Sequence, residues 1–273
     1  QPTTITGLGL GRVLYITGAG EPTIESLVLR DGSAAGQGGG PDGQDGGGNV
    51  YVDGATAIFS NTQILNGNAY YGGGLFLLRS PSTIITNTFA DNKATAGGVI
   101  FAQESSAILT ENLFSANGAT GDGGALFLSR SPAVLARNYF VSNNAATAGG
   151  ALFADSSPAT LLENSFFGNR AKSAGAVYLD ASNAQVEGNR FEENGAENAG
   201  ALLVARSTAQ LTANQWFNNT ALNGGALYLE ASDGTVANNL VISNTASNSG
   251  SALYSVGSTP LILHNTFAYN RGG

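Results

Sequence analysis

Apolar and polar positions recur along this chain on a fixed interval. Aligned on the aliphatic residue after each pair of small residues, the chain yields a column of Val50, Leu75, Ile100, Leu126, Leu152, Val177, Leu202, Leu227 and Leu253, with successive members 25 or 26 residues apart. About nine residues later comes a second apolar column, read as Ile58, Ile84, Leu109, Leu135, Leu161, Val186, Leu211, Val236 and Ile262. Two asparagine columns follow. The first is read as Asn61, Asn87, Asn112, Asn138, Asn164, Asn189, Asn214, Asn239 and Asn265; the second as Asn66, Asn92, Asn117, Asn143, Asn169, Asn194, Asn219, Asn244 and Asn270. Between them lies a mostly aromatic column of Phe89, Phe114, Phe140, Phe166, Phe191, Trp216 and Phe267, with Gln63 and Val241 as exceptions.

Each repeat thus holds three short β-rich apolar segments parted by Asn or Gly, too short for helices of three turns. A period of this length is the mark of a solenoid, in which each unit buries its inner face against the units above and below. The prediction is an all-β, right-handed parallel β-helix with three strands per coil, about ten coils and almost no helix, forming one domain over 1–273. Equivalent residues should stack roughly 4.8 Å apart, the spacing of neighbouring strands. Asn is expected at the corners because it tolerates a left-handed backbone and because its amide can pair with the Asn of the next coil. Leu14-Tyr15-Ile16 and Ile24 fit an earlier coil, and the excess length before Val50 falls in a Gly-rich insertion at about 33–47. Those glycines have no strand-to-helix context for cradling a phosphate, so the insertion reads as a flexible surface loop.

Composition narrows the chemistry. Of 273 residues 39 are Gly, only 11% are charged and 42% are hydrophobic, which suits a turn-rich β protein with a core. The net charge of −8 and the scattered basic residues argue against a nucleic-acid partner. There is no Cys, hence no disulfide and no thiolate metal site. No apolar run is long enough to span a membrane. With neither an initiator Met nor a signal-peptide core, the chain reads as a processed or excised segment, expected to be secreted to an extracellular cell surface, with no cofactor.

The Gly-Gly-Ala-Leu runs ending at Leu126, Leu152 and Leu227, in fixed phase with FxxN at Phe89–Asn92, Phe114–Asn117, Phe140–Asn143 and Phe166–Asn169, resemble the GGA[IL] and FxxN repeats of polymorphic outer-membrane proteins and related bacterial surface β-helices. The resemblance covers nearly the whole chain and implies the β-helix fold and display on a cell as an adhesin. The chain departs from that family in lacking a membrane-barrel domain.

Parallel β-helices also host polysaccharide lyases and glycosidases, so the acids matter. Three residues past the first column stand Asp155 and Asp180 on adjacent coils and Glu230 two coils on, a candidate carbohydrate or Ca²⁺ site. Ala205 interrupts that stack, and no neighbouring column is seen to pair these acids with Lys or Arg. Other charges alternate in sign between coils, Arg79, Glu104, Arg130 and Glu111, Arg137, Glu163, and read as cross-strand ion pairs. His264, the only histidine, falls at an outward turn. No catalytic residue and no metal site is assigned, and the chain is expected not to be an enzyme.

The first strand carries a further column, Tyr15, Tyr51, Phe76, Phe101, Phe127, Phe153, Tyr178, Leu203, Tyr228 and Tyr254. Because side chains alternate along a strand, it must face outward if its aliphatic neighbours face the core. Residues Tyr51, Phe76, Phe101, Phe127, Phe153, Tyr178, Tyr228 and Tyr254 are therefore expected to form a lateral interface. No amphipathic capping helix is seen before Thr3 or after Asn270. The expected function is a secreted bacterial surface protein, structural or adhesive, with itself as head-to-tail partner in a filament and cell-surface glycans as a further candidate partner. The alternative is a polysaccharide-binding or polysaccharide-cleaving β-helix.

Overall fold

The computed structural model describes residues 2–273; Gln1 lies outside the described residues. The chain winds as a three-sided parallel solenoid. Its first sheet holds ten strands from Leu14–Thr17 to Leu253–Val256, and its second ten from Thr23–Glu25 to Leu261–Leu263. The third sheet has eleven, because Thr3–Thr6 adds a strand ahead of Leu27–Arg30. All named strand pairs are parallel and join equivalent residues of successive coils, as Leu126 joins Leu152. A single 3₁₀ turn, Pro41–Gly43, is the only helical element among the described residues.

Alternation along each strand sorts the side chains. In the first sheet Leu126 and Leu128 point inward, with Phe127 and Ser129 outside. The second sheet sends Leu109 into the core and leaves Ile108 exposed, and the third buries Phe114 between Leu113 and Ser115. Inside, Phe89, Phe114, Phe140, Phe166 and Phe191 stack with ring centroids 4.7–4.8 Å apart, and Trp216 continues the stack at 5.6 Å. Stacking at the strand spacing gives each ring between Phe89 and Trp216 two ring neighbours within the core.

Both asparagine ladders are present and buried. The Asn138 Oδ1 accepts from the backbone N–H and from Nδ2 of Asn112, while its own Nδ2 donates to the Leu109 carbonyl at 2.9 Å and to Asn164 Oδ1 at 3.0 Å. Asn87, Asn112, Asn164, Asn189 and Asn214 repeat the scheme at one corner; Asn92, Asn117, Asn143, Asn169, Asn194 and Asn219 repeat it at the next. One amide thus satisfies corner groups of two coils, groups that would be costly to bury unpaired.

Two expectations need correcting. The left-handed residue at each corner is the one before the ladder Asn, for example Glu111 (φ 56°), Arg137 (φ 52°) and Glu163 (φ 53°), so the Asn is there for its amide and not for its backbone. And in the coil beginning at Val50 the true column members lie one residue later than the sequence reading placed them. Phe59, Thr62, Ile64 and Gly67 pair with Ile84, Asn87, Phe89 and Asn92. Ile58, Asn61, Gln63 and Asn66 are consequently exposed, and Asn61 (φ 46°) and Asn66 (φ 53°) occupy the left-handed positions.

Candidate functional site on the outer face of the first sheet

The outer aromatic column stacks from Tyr15 to Tyr178, with centroids 4.8–5.5 Å apart and near-parallel planes at the start. Each ring therefore turns its faces to its neighbours and its edge to the outside. The edge is the electropositive rim of an aromatic ring, so the stripe offers ligands little π-face to stack on. Leu203 breaks the run between Tyr178 and Tyr228 and lies buried with Ala174, Ala199 and Ala205.

The start of this column is not a free surface. Tyr51, Phe76 and Phe101 are buried, because the Gly-rich insertion and the turns after the third sheet fold over them. A β-carbon on Gly46 would lie 2.9 Å from the Phe76 ring, and one on Gly39 would lie 2.7 Å from Tyr51, where φ is also +92°. Glycine is what lets the loop lie against the rings. Three side chains pin it. The Arg12 Nε donates to the Gly46 carbonyl at 2.8 Å and its other nitrogens to Gln37 and Gly38, over the Tyr15 and Tyr51 rings. The Asp45 carboxylate accepts from the N–H groups of Gly36 and Gly38, and the Tyr51 hydroxyl donates to the Gly39 carbonyl at 3.0 Å. The insertion is a built cover, not the flexible loop expected, and Tyr51, Phe76 and Phe101 are withdrawn from any lateral interface. Phe127, Phe153, Tyr178, Tyr228 and Tyr254 remain half-buried on the outer face.

The acid column holds the register expected of it but does not form one site. Asp155 pairs with Asp180, Asp180 with Ala205, and Ala205 with Glu230. Asp180 is held by Arg206 of the following coil, which corrects the reading that no basic residue neighbours these acids. Asp155 accepts from the Ser156 hydroxyl at 3.0 Å, and Glu230 is exposed. Among the described residues no three of His, Cys, Asp and Glu lie close enough to hold a metal ion. The alternating charges pair in part: Arg130 with Glu104 at 3.0 Å and Arg137 with Glu111 at 3.1 Å, whereas Arg79 turns to Asp53 at 2.7 Å and Glu163 joins no ion pair among the described residues. Exposed pairs of this kind contribute at most about 1 kcal/mol each.

Between the cover and the acid column opens a cleft of about 490 Å³. Pro41 and Asp42 of the insertion and Tyr70-Tyr71 of the next coil form one wall, and Gly121-Asp122 another. Phe101, Phe127, Gln103 and Ser129 line its floor, with Arg130 and Asp155 at the far side. Tyr71 packs against Tyr70 (4.7 Å, edge-on) and Phe101 (4.5 Å). Burial, with Tyr70 and Asp42 beside it, pushes the Tyr71 hydroxyl above its ordinary pKa.

A family model described as the right handed beta helix region matches residues 12–191 and 171–273. The chain belongs to the right-handed β-helix family. Neither a curated protein nor a solved structure matches it. The repeat pattern of this β-helix also contained signals that sequence reading missed. Ser80, Ser105, Ser131, Ser157, Ser182, Ser207 and Ser232 form a third buried ladder at the first corner, each hydroxyl after the first accepting from the N–H of the preceding serine. They recur on the same period as the Asn columns and were legible by the same alignment. The cleft left a fainter trace. From Asn117 to Leu126 the β-helix has one residue more than from Asn92 to Ile100, and the longer turn carries Gly121 and Asp122.

Proposed function

We propose that this β-helix is a secreted protein of a bacterial cell surface that acts as a rigid structural and adhesive element and not as an enzyme. The observation that carries this reading is the set of three buried polar ladders, which tie coil to coil through the body of the solenoid and make it stiff along its axis. The dispersal of Asp155, Asp180 and Glu230 into three different environments also speaks for it, since general acid–base chemistry on a glycoside needs two carboxyl groups facing one bond. The test is to label intact cells with antibodies to the chain and to ask whether the purified protein competes with cell attachment. Surface label and competition are expected. Label confined to the cytoplasm, or depolymerisation of a polysaccharide by the pure protein, would overturn the reading.

Head-to-tail assembly extends the proposal. Every coil pairs in parallel register with the next in all three sheets, so the face of an end coil can pair with a second copy through the same bonds. A second copy adding there would propagate as an open fibre. Sedimentation of the full mature protein should show concentration-dependent polymers with an axial repeat of roughly 48 Å, ten coils at the strand spacing. A monodisperse monomer, as when further residues of the same chain cover this face, would refute it.

A further inference from the structure

The outer face of the second sheet is apolar along its middle coils and framed by charge. From Thr83 to Leu162 its outward residues are all uncharged and mostly β-branched, with Ile108 49% and Val134 41% exposed. Side chains this stiff lose little rotamer freedom when they are covered. Beside Ile108 and Val134 runs a shallow apolar trough of about 430 Å³, lined from coil to coil by Pro81, Ser106, Pro132 and Pro158, which leaves room for facing side chains. An ion pair stands at each edge of the face, Glu104 with Arg130 at 3.0 Å ahead of the strands and Glu111 with Arg137 at 3.1 Å after them. In both pairs the acid belongs to the coil of Ile108 and the base to the coil of Val134. The two pairs are therefore parallel dipoles along the solenoid axis, one on either side of an apolar strip.

We propose that this face pairs with the same face of a second copy lying antiparallel, about a two-fold axis that passes between the coils of Ile108 and Val134. Turned end for end, the copy reverses both dipoles, so that Glu104 meets the partner's Arg130, Glu111 the partner's Arg137 and Ile108 the partner's Val134. Other placements bring like charges together, which costs affinity. A copy lying parallel would set Glu104 against Glu111 and Arg130 against Arg137, and an axis moved onto the coil of Ile108 would set Glu104 against its own equivalent. The faces are flat enough to keep this register. Successive rings from Phe89 to Phe191 turn by only 5°, against the roughly 20–25° usual between neighbouring strands. The opposed stretch runs from Thr23 to Gln210 and juxtaposes no like charges: Glu25 falls opposite the partner's Thr212, Glu187 opposite the partner's Ser60 and Glu163 opposite the partner's Thr86. Its area is on the order of 700 Å² per copy at the strand spacing, close to the roughly 800 Å² per partner of a stable complex. The pairing uses a side of the solenoid and is independent of head-to-tail addition at its ends.

The experiment is sedimentation of the whole chain and of two charge-reversed variants. The unaltered chain should show a concentration-dependent dimer. Glu111→Arg sets arginine against arginine on both sides of the axis, and Arg137→Glu sets glutamate against glutamate, so each alone should weaken dimerisation about tenfold or more. Mixed in equal amounts, the two variants again present opposite charges and should regain the original affinity, which a merely misfolded variant would not do. Orientation is read by cross-linking, since the chain has no Cys of its own. Thr83 and Thr160 lie three coils apart within one chain and face each other across the axis. A mixture of Thr83→Cys and Thr160→Cys chains should therefore be joined by a short bismaleimide, and neither variant alone. A monomer at every concentration would overturn the proposal, as would a dimer that both charge variants leave intact or one that mixing does not restore. Cross-linking of either cysteine variant by itself would overturn it too, and this readout holds even where head-to-tail fibres form.

Discussion

Two aromatic columns run through the middle coils of this molecule at the same spacing, and they meet opposite fates. The inner one, from Phe89 to Trp216, is the middle residue of a three-residue strand and lies in the core. The outer one, from Tyr15 to Tyr178, is the second residue of a four-residue strand, and alternation sends it to the solvent side. Stacking is much the same in both, with centroids 4.7–5.6 Å apart. Stacking therefore does not decide burial. What decides it is the covering structure: the outer rings are buried only where a glycine loop and wide turns lie on them, half-buried farther along, and exposed at Tyr15. An outward aromatic column becomes a second small core where chain is available to cover it.

The sharpest way to break the comparison is to truncate one ring in each column. Phe140→Ala should cost about 3–5 kcal/mol, because the core around a fully buried ring cannot collapse. Phe127→Ala, half-buried outside, should cost roughly 1–2 kcal/mol by lost burial. Thermal unfolding followed by circular dichroism would report both, and equal losses would mean that the outer stack is as much a core as the inner. Next in size is Asn138→Ala. It strips the Asn112 N–H and Nδ2 of their acceptor and the Leu109 carbonyl of its donor, so a loss of about 2–4 kcal/mol is expected. Its control is Gln63→Ala, exposed and outside the ladder, which should stay within about 0.5 kcal/mol.

The cover itself is addressed by Arg12→Ala. Losing the hydrogen bonds to Gln37, Gly38 and Gly46 and the contact with the Tyr51 ring should destabilise the loop by about 1–2 kcal/mol. Hydrogen exchange over residues 36–47 should quicken while the Asn ladders stay protected. Acid should do the same more gently. Burial pushes the Asp45 carboxyl up, but hydrogen bonds from the N–H groups of Gly38, Gly36 and Gln37, with the Arg12 charge, outweigh it and hold the group below its ordinary pKa. A depressed carboxylate stabilises the closed loop above the ordinary aspartate value of about 3.9 and ceases to do so as pH falls through the folded value. Limited proteolysis at the loop should rise below about pH 4. The smallest effect is expected of Trp216→Phe. The ring shrinks, but the buried Nε1, which has no hydrogen-bond partner among the described residues, disappears with it. The two should nearly cancel, leaving the melting temperature within the shift of about 1 kcal/mol.

Period, strand number and the two asparagine ladders were legible in the sequence because a solenoid repeats its environment. A residue type required once is required in every coil, and the column shows it. The serine ladder was equally legible and was overlooked beside the more conspicuous Asn. One-residue slips at Ile58, Asn61, Gln63 and Asn66 arose where Thr62 and Gly67 stand in for the ladder Asn, so that the nearest asparagine misled the count. That the Phe127 column faces outward also follows from alternation alone. Only the tertiary structure decided what covers it. The insertion at 33–47 has no equivalent in other coils, so no column records its position, and its fold depends on Arg12 meeting its backbone from an earlier stretch of chain and on Asp45 folding back onto it. The cleft is of the same kind. Asp42, Tyr71, Asp122 and Asp155 come from different coils, and periodicity, which reports what successive coils share, keeps only the one-residue-longer turn at Gly121 and Asp122 as a trace of a site made where they differ.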